Sequence, residues 1–190
     1  MKQAVLAAVI FSWLLSGSVD ASVLSIYHSF REPTVDELND DPGLAGHWIL
    51  GFFVETDSDI LGITGVEIFK GPLYQHGLSV DDAAPNPAFV SVFPALGADS
   101  YITTPGVTAI AGGGFGDPGS SWFDSDNNGA QENFKFAQLT VPAFNGLKFF
   151  VGQIQTQGPA GPERFNFLFF MPEPETIVLA GLGLFSGLVI

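Results

Sequence analysis

The sequence contains no cysteine and only 6 lysine and arginine residues in 190. Without cysteine the chain cannot form disulfides, thiolate zinc sites, redox pairs or a thiol nucleophile. The 20 acidic residues give a formal net charge of -14, and such a field repels nucleic acid and anionic lipid headgroups. The charge therefore suits a soluble protein outside the cell, a cation ligand or a basic partner.

The hydrophobic residues are mainly phenylalanine rather than tyrosine or tryptophan. Hydrophobic residues make up 46% of the chain, and 19 Phe stand against 3 Tyr and 3 Trp. This content excludes wholesale disorder, and the length allows one domain with its own core. With 23 Gly and 13 Pro, the composition favours short strands joined by many turns.

The N-terminus has the three-part layout of a secretory signal peptide. Lys2 precedes an apolar stretch from Ala4 to Leu15, and Val19 and Ala21 place small residues before a cleavage point between Ala21 and Ser22. The alternative is a membrane anchor or a buried helix, but twelve apolar residues are too few to cross about 30 Å of hydrocarbon. We predict a short signal helix and export.

The C-terminus combines a polar Pro172-Glu173-Pro174 with an uncharged run from Ile177 to Ile190. Fourteen residues at about 1.5 Å rise span roughly 21 Å, which is short for a membrane helix. The alternative is a terminal strand or helix packed on the domain. Against it, Leu179 to Leu188 is rich in small residues at helix-packing spacings and poor in strand alternation.

This tail resembles the bacterial PEP-CTERM sorting domain. Pro172, Glu173 and Pro174 match its motif, and Leu179 to Leu188 match its hydrophobic helix in character. The resemblance implies handling by exosortase, a membrane protease-transpeptidase, and delivery to the cell surface or the extracellular polysaccharide matrix. The family's tail ends in an Arg/Lys cluster that this sequence lacks, so either the chain continues beyond Ile190 or the signal is degenerate.

Between these ends, residues 22 to 170 predict one domain. Short segments of strand composition are bounded by turn residues every ten to fifteen positions, which predicts an antiparallel, jelly-roll-like β-sandwich with Phe between its sheets. Pro33 to Gly43 is expected to hold one helical turn. The body from Gly46 to Val151 also resembles, more loosely, other exported bacterial proteins with this tail, and that likeness implies no activity. The predicted strands are His47–Thr56, Ile63–Lys70, Ala88–Phe93, Ser100–Thr104, Val107–Gly112, Asn133–Val141, Leu147–Thr156 and Arg164–Phe170.

The best candidate for ligand chemistry is the segment FDSDNNGAQE. Asp124, Asp126 and Asn128 lie two apart and precede Gly129, as in the first half of a D-x-D-x-N-G calcium loop. The twelfth position, where a closing Glu belongs, is Lys135. The favoured interpretation is a β-hairpin turn built on Asn-Asn-Gly, with weak calcium binding as an addition.

The other candidate motifs give weaker evidence for a binding or catalytic site. His28, His47 and His76 have no zinc-site spacing, and Ala111 to Ser121 lacks the Lys-Ser/Thr of a phosphate loop. The acid pairs Asp57/Asp59 and Asp81/Asp82 suit solvated loops. A sugar-stacking platform remains an alternative, with four aromatic residues as its candidates: Trp48, Trp122, Tyr74 and Tyr101.

From sequence, the chain is therefore expected to be a non-enzymatic exported surface or matrix protein with no cofactor beyond calcium. Its expected partners are the secretion machinery, an exosortase-type protease and, transiently through the tail, the membrane. Extracellular polysaccharide is a further candidate partner, and nucleic acid is not expected. The alternative functions are a carbohydrate- or calcium-binding module of the matrix and a degradative enzyme. A concave sheet face with exposed aromatics favours the first, and a cleft with facing carboxylates favours the second.

Overall fold

The computed structural model describes residues 22–69, 72–78, 84–106, 108–111, 120–124, 126–143, 149–159 and 161–170. The predicted signal helix and the C-terminal hydrophobic helix lie outside these residues. No helix within the described ranges is long and apolar enough to span a bilayer. The strands there are β1 Val23–Arg31, β2 His47–Thr56, β3 Ile60–Phe69, β4 Tyr101–Ile102, β5 Thr108–Ala111, β6 Ser120–Asp124, β7 Gln131–Pro142, β8 Phe149–Gly158 and β9 Gly161–Phe170.

The strands form two antiparallel sheets. One sheet has the order β1-β2-β7-β4 and the other has the order β5-β6-β3-β8-β9. The prediction of an all-β sandwich is confirmed at this level, and the jelly-roll likeness stays a prediction. Six of the predicted strand segments coincide with or overlap β2, β3, β5, β7, β8 and β9, and the segment at Ser100 contains the two-residue β4.

The core between the sheets is built largely from phenylalanine, as expected. Phe52, Phe136 and Phe150 are fully buried, and Phe167 is nearly so. Four of their ring contacts are edge-on or tilted at centroid separations of 4.7 to 6.4 Å, an arrangement that the aromatic quadrupole favours, and Phe136 stacks on Phe150 at 6.2 Å. Aliphatic side chains complete the cluster: Leu50, Val54, Ile60, Ile63, Val66, Ile102, Leu139, Val141 and Ile154.

One predicted strand, Ala88–Phe93, is wrong. The segment begins with the helix α2, Pro87–Val90, and a turn follows it. The Asn86 side chain caps this helix by accepting a hydrogen bond from the backbone N–H of Ala88, and Pro87 occupies the first turn. This capping chemistry favours a helix start and overrides the β-branched and aromatic composition that suggested a strand.

Two further elements refine the predictions. The expected helical turn is α1, Val35–Asp40, followed by a 3₁₀ turn at Pro42–Leu44. Thr34 and Glu37 form a capping box at the start of α1, which explains why so short a helix is stable there. The strand β1 was not predicted, and a second 3₁₀ turn covers Pro94–Ala98.

The strands β1 and β9 run side by side across the open edges of the two sheets. The Ser22 hydroxyl donates to Glu163 Oε2 over 2.7 Å, and the His28 ring meets the Phe169 ring edge-on at 5.4 Å. The sandwich therefore has a Ser22 end, where β1 and β9 begin, and a Phe170 end, where β9 finishes. Ten residues at about 3.3 Å place these ends roughly 33 Å apart.

Candidate functional site

The predicted calcium-loop residues come together at the Ser22 end of the sandwich, where β6 stops. Asp124 Oδ1 accepts the backbone N–H of Asp126 at 2.8 Å. Asp124 Oδ2 accepts the N–H of Gly106 at 2.9 Å and an amide N–H of Asn128 at 3.0 Å. Both carboxylate oxygens of Asp124 are thus already used to hold the loop in place.

Gly106 lies at the centre of this cluster because no side chain fits there. A Cβ atom at Gly106 would lie 2.5 Å from Asp124 Oδ1 and 2.7 Å from Asp126 Oδ2. From the other side, the N–H of Asn128 donates to Asp59 Oδ1 at 2.9 Å, and Asp59 is buried. The predicted trio is therefore joined by two residues, Gly106 and Asp59, that spacing could not identify.

The interpretation of this segment as a hairpin turn is wrong. Strand β6 pairs with β3 and β5, whereas β7 pairs with β2 and β4 in the other sheet. The segment is a crossing between sheets, although Gly129 does adopt the positive φ of 67° expected of its turn glycine. Asn-Asn-Gly favours any tight bend. This turn sequence therefore could not distinguish a hairpin from a connection between the two sheets.

The remaining ligand positions of a calcium loop are not completed nearby. Within the described ranges, no three His, Cys, Asp or Glu side chains converge closely enough to hold a metal ion. Lys135, at the twelfth position, lies on β7 and donates to Gln138 Oε1 at 2.9 Å, and Glu132 is exposed. Calcium binding by Asp124, Asp126 and Asn128 stays a prediction.

The three histidines do not converge on one site, although His47 and His76 both lie near Asp41. His28 is packed between the rings of Phe52 and Phe169, and burial lowers its pKa below the ordinary value. His47 contacts the Tyr74 ring at 6.2 Å. His76 accepts the N–H of Leu78 on its Nδ1 and donates its own backbone N–H to Asp99. No two of the three form a common ligand set.

The four aromatic candidates for a sugar platform do not share a surface, so that assignment is wrong. Trp122 is in the core with 1% exposure, and Tyr101 is also buried. Trp48 packs on Phe30. The Tyr74 hydroxyl donates to Asp41 Oδ2 at 2.6 Å, and burial together with this bond raises the pKa of Tyr74 well above its usual range. The outward aromatic on β6 is instead the next residue, Phe123.

A surface cleft of about 370 Å³ lies at the Ser22 end, between the β2–β3 turn and the β8–β9 turn. Its walls are Asp57, Ser58 and the segment Gln157 to Pro159. Asp57 is the single carboxylate among them, so this cleft does not present the facing carboxylate pair that glycoside hydrolysis needs. The other predicted acid pair, Asp81/Asp82, lies outside the described residues.

No family model matches the chain, and no curated protein or solved structure is detectably similar to it. The predicted sorting residues Pro172, Glu173 and Pro174 and the cleavage residue Ala21 also lie outside the described residues, whereas Ser22 is within them.

Proposed function

We propose that this chain is a non-enzymatic exported protein delivered to the cell surface or extracellular matrix through its C-terminal Pro172-Glu173-Pro174 motif and hydrophobic helix. One observation carries the proposal that a folded domain lies between two processing signals. The described sandwich begins at Ser22, the residue after the expected signal cleavage, and its last strand ends at Phe170, just before the motif. The strands of the described residues therefore lie between the two predicted processing signals.

Ser22 is an integral part of the sandwich and not a linker. It is buried, its carbonyl oxygen accepts the N–H of Asp57 at 3.2 Å, and its hydroxyl donates to Glu163. Cleavage between Ala21 and Ser22 would leave a mature chain whose first residue already has partners. This supports a signal peptide that ends at Ala21 in preference to a cut farther along the chain.

The direction of β9 supports a specific orientation for the delivered protein. Phe170 is at the opposite end of the sandwich from Ser22, so a tail held in a membrane would attach the domain by its Phe170 end. The Asp124 loop and the cleft at Asp57 would then face away from the bilayer. An acidic, outward-facing end suits a protein with a net charge of -14 near an anionic membrane.

Export can be tested by fractionating cells that express the full chain. We expect material lacking residues 1 to 21 outside the cytoplasm, because Ala21 satisfies the small-residue rule for signal cleavage. N-terminal sequencing should begin at Ser22. The matched control is Ala21→Arg, which should block cleavage because arginine violates the small-residue rule. A full-length, cytoplasmic wild-type product would contradict the proposal.

Sorting can be tested by deleting Pro172 to Ile190. We expect the truncated protein in the medium instead of at the cell surface, with its thermal unfolding midpoint unchanged, because the last strand within the described residues ends at Phe170. A second variant changes only the motif, Pro172→Ala with Pro174→Ala, and should also lose surface retention. If the truncated protein aggregates or melts at a lower temperature, the tail belongs to the core and the proposal fails.

A further inference from the structure

The outer faces of the two sheets are not equivalent. The outer face of the four-stranded sheet is covered by the 3₁₀ turn Pro94–Ala98 and the residues after it: Gln138 donates to the carbonyl oxygens of Gly97 and Asp99, and Gln138 and Thr140 are buried. On the five-stranded sheet, Arg164 and Asn166 are exposed on β9 and their neighbours on β8 are half-buried. The β8–β9 part of that second face is therefore accessible to solvent in the described part of the chain.

Strand register arranges polar side chains in rows across this open face. Phe123, Gly62, Gln155 and Arg164 are paired in sequence across β6, β3, β8 and β9. The next row contains Thr64, Gln153 and Asn166. Residues two apart on a strand are about 7 Å apart and point to the same side. We call the side chains of Phe123, Gln153, Gln155, Arg164 and Asn166, with the buried Thr64 beneath them, the amide face.

The amides on this face are ordered and still have hydrogen-bonding capacity. Gln153 Nε2 donates to Asn166 Oδ1 at 3.0 Å, and Gln155 Nε2 donates to Thr64 Oγ1 at 3.2 Å. Each bond uses one of the two N–H donors of a glutamine and leaves its carbonyl oxygen as an acceptor. The side chains are therefore held in place while further donors and acceptors remain for a ligand with many hydroxyl groups.

An aromatic ring stands beside these amides. Phe123 is 39% exposed, and its ring lies alongside Gly62, where a Cβ would come within 3.2 Å of Phe123 Cδ1 and 2.7 Å of the Trp122 carbonyl oxygen. The glycine thus leaves room for the ring to lie close to the sheet. A flat apolar surface next to convergent polar groups is the usual composition of a site for a small ring-shaped ligand.

The charge on this face is opposite to that of the protein. The chain carries 20 acidic residues, yet the two rows of the amide face contain none, and the first acid on the same side is Glu67 in the following row. Arg164 has no carboxylate within salt-bridge distance among the described residues, where the ion pair found is Arg31–Glu37. An exposed guanidinium with no acid beside it can bind a carboxylate with two parallel hydrogen bonds.

We propose that the amide face binds an acidic polysaccharide, one whose sugar rings carry carboxylates. Its hydroxyl groups would bond to Gln153, Gln155 and Asn166, a sugar ring would stack on Phe123, and a carboxylate would pair with Arg164. The net charge of -14 opposes binding of any polyanion, and it opposes nucleic acid most strongly because duplex DNA carries one charge per about 1.7 Å of its axis. A polysaccharide with at most one carboxylate on each sugar ring has a lower charge density and is repelled less. This inference goes beyond delivery to the cell surface and does not depend on it, because binding by the purified chain is independent of its route.

The test measures binding of the purified full chain to polygalacturonate by affinity electrophoresis, with dextran as the neutral probe. Wild type should bind polygalacturonate and not dextran. Arg164→Gln should weaken binding about tenfold, the loss expected for one charge-assisted bidentate contact. The matched control is Lys135→Gln, which makes the same charge change on the opposite sheet and should leave binding unchanged.

A second pair of variants separates stacking from charge. Phe123→Ala should weaken polygalacturonate binding severalfold, whereas Phe89→Ala, an exposed phenylalanine on α2, should not. Unfolding midpoints check that each variant is folded. The proposal is overturned if wild type does not bind polygalacturonate, if dextran binds equally well, or if Arg164→Gln and Lys135→Gln weaken binding to the same extent.

Discussion

Phe52→Ala should lower the free energy of unfolding by about 3–5 kcal/mol, the range observed when a buried phenylalanine is truncated to alanine. The value combines the lost transfer free energy of the ring with the cavity left behind. For a domain of this size, such a loss is a large fraction of the whole stability. Equilibrium urea unfolding, followed by tryptophan fluorescence, measures it directly.

Phe52 is chosen because it joins the two sheets at the centre of the core. It is fully buried on β2, and its ring meets Phe150 and Phe169 of the opposite sheet at centroid separations of 4.7 and 4.9 Å. Phe136 on the neighbouring strand lies 6.4 Å away. The surrounding rings are themselves held in strands, so the site can collapse only partly into the cavity, which favours the upper part of the range.

The matched control is Phe89→Ala. Phe89 is 58% exposed on α2, so its truncation should change the free energy of unfolding by less than about 0.5 kcal/mol. Equal losses for the two variants would show that burial in this core is not what stabilises the sandwich.

Much of the sandwich follows from local pattern. The segment His47–Thr56 is predicted and observed with the same bounds. Alternating phenylalanines of β7 and β9 point into the core, and Phe150 of β8 joins them: the set is Phe134, Phe136, Phe150, Phe167 and Phe169. β1 was not predicted because its polar and apolar residues alternate weakly: Ile26 and His28 face inward, while Phe30 at the strand end is largely exposed. Its burial depends on a partner strand that local sequence does not specify.

The sequence predicts which residues of the calcium-loop segment come together, but it does not predict the residues that surround them. Asp124, Asp126 and Asn128 do converge, but Gly106 and Asp59 reach them only through pairing that is distant in sequence. The aromatic platform failed for a related reason. A strand alternates its faces at every residue, so a shift of one position puts Trp122 in the core and Phe123 outside. Which of two neighbouring residues points into the core depends on which face of the sheet is buried, and the local sequence of β6 does not specify that face.

Glu37 is the second site where a single change should have a large effect. Its carboxylate accepts one hydrogen bond from each terminal guanidinium nitrogen of Arg31, both at 2.7 Å. It also accepts a hydrogen bond from the backbone N–H of Thr34 at 2.7 Å, and the backbone N–H of Glu37 donates to the Thr34 hydroxyl. Glu37 is only 5% exposed. One side chain thus joins the end of β1 to the start of α1.

Glu37→Ala should lower the free energy of unfolding by about 2 kcal/mol at neutral pH, because it removes a helix cap and a charge-assisted bidentate pair. Arg31 is 43% exposed, so its guanidinium stays hydrated when Glu37 is lost, and the larger penalty of an isolated buried charge does not apply. Asp36→Ala is the control: it removes an exposed acid one residue earlier in α1 and should change stability by less than about 0.5 kcal/mol.

The contribution of Glu37 should also depend on pH in a defined direction. Burial alone would raise its pKa, but the hydrogen bonds from Arg31 and Thr34 and the charge of Arg31 outweigh burial, and the net pKa lies below the ordinary value of 4.5. The unfolded chain therefore binds the proton more tightly, so this stabilisation is complete above the unfolded pKa and is lost as pH falls through the folded pKa. Glu37→Gln keeps the size and capping capacity but not the charge. Its stability deficit relative to wild type should be greatest at neutral pH and should shrink below about pH 4.5. A deficit that stays constant across this range would mean that Glu37 stabilises the domain by packing and capping alone.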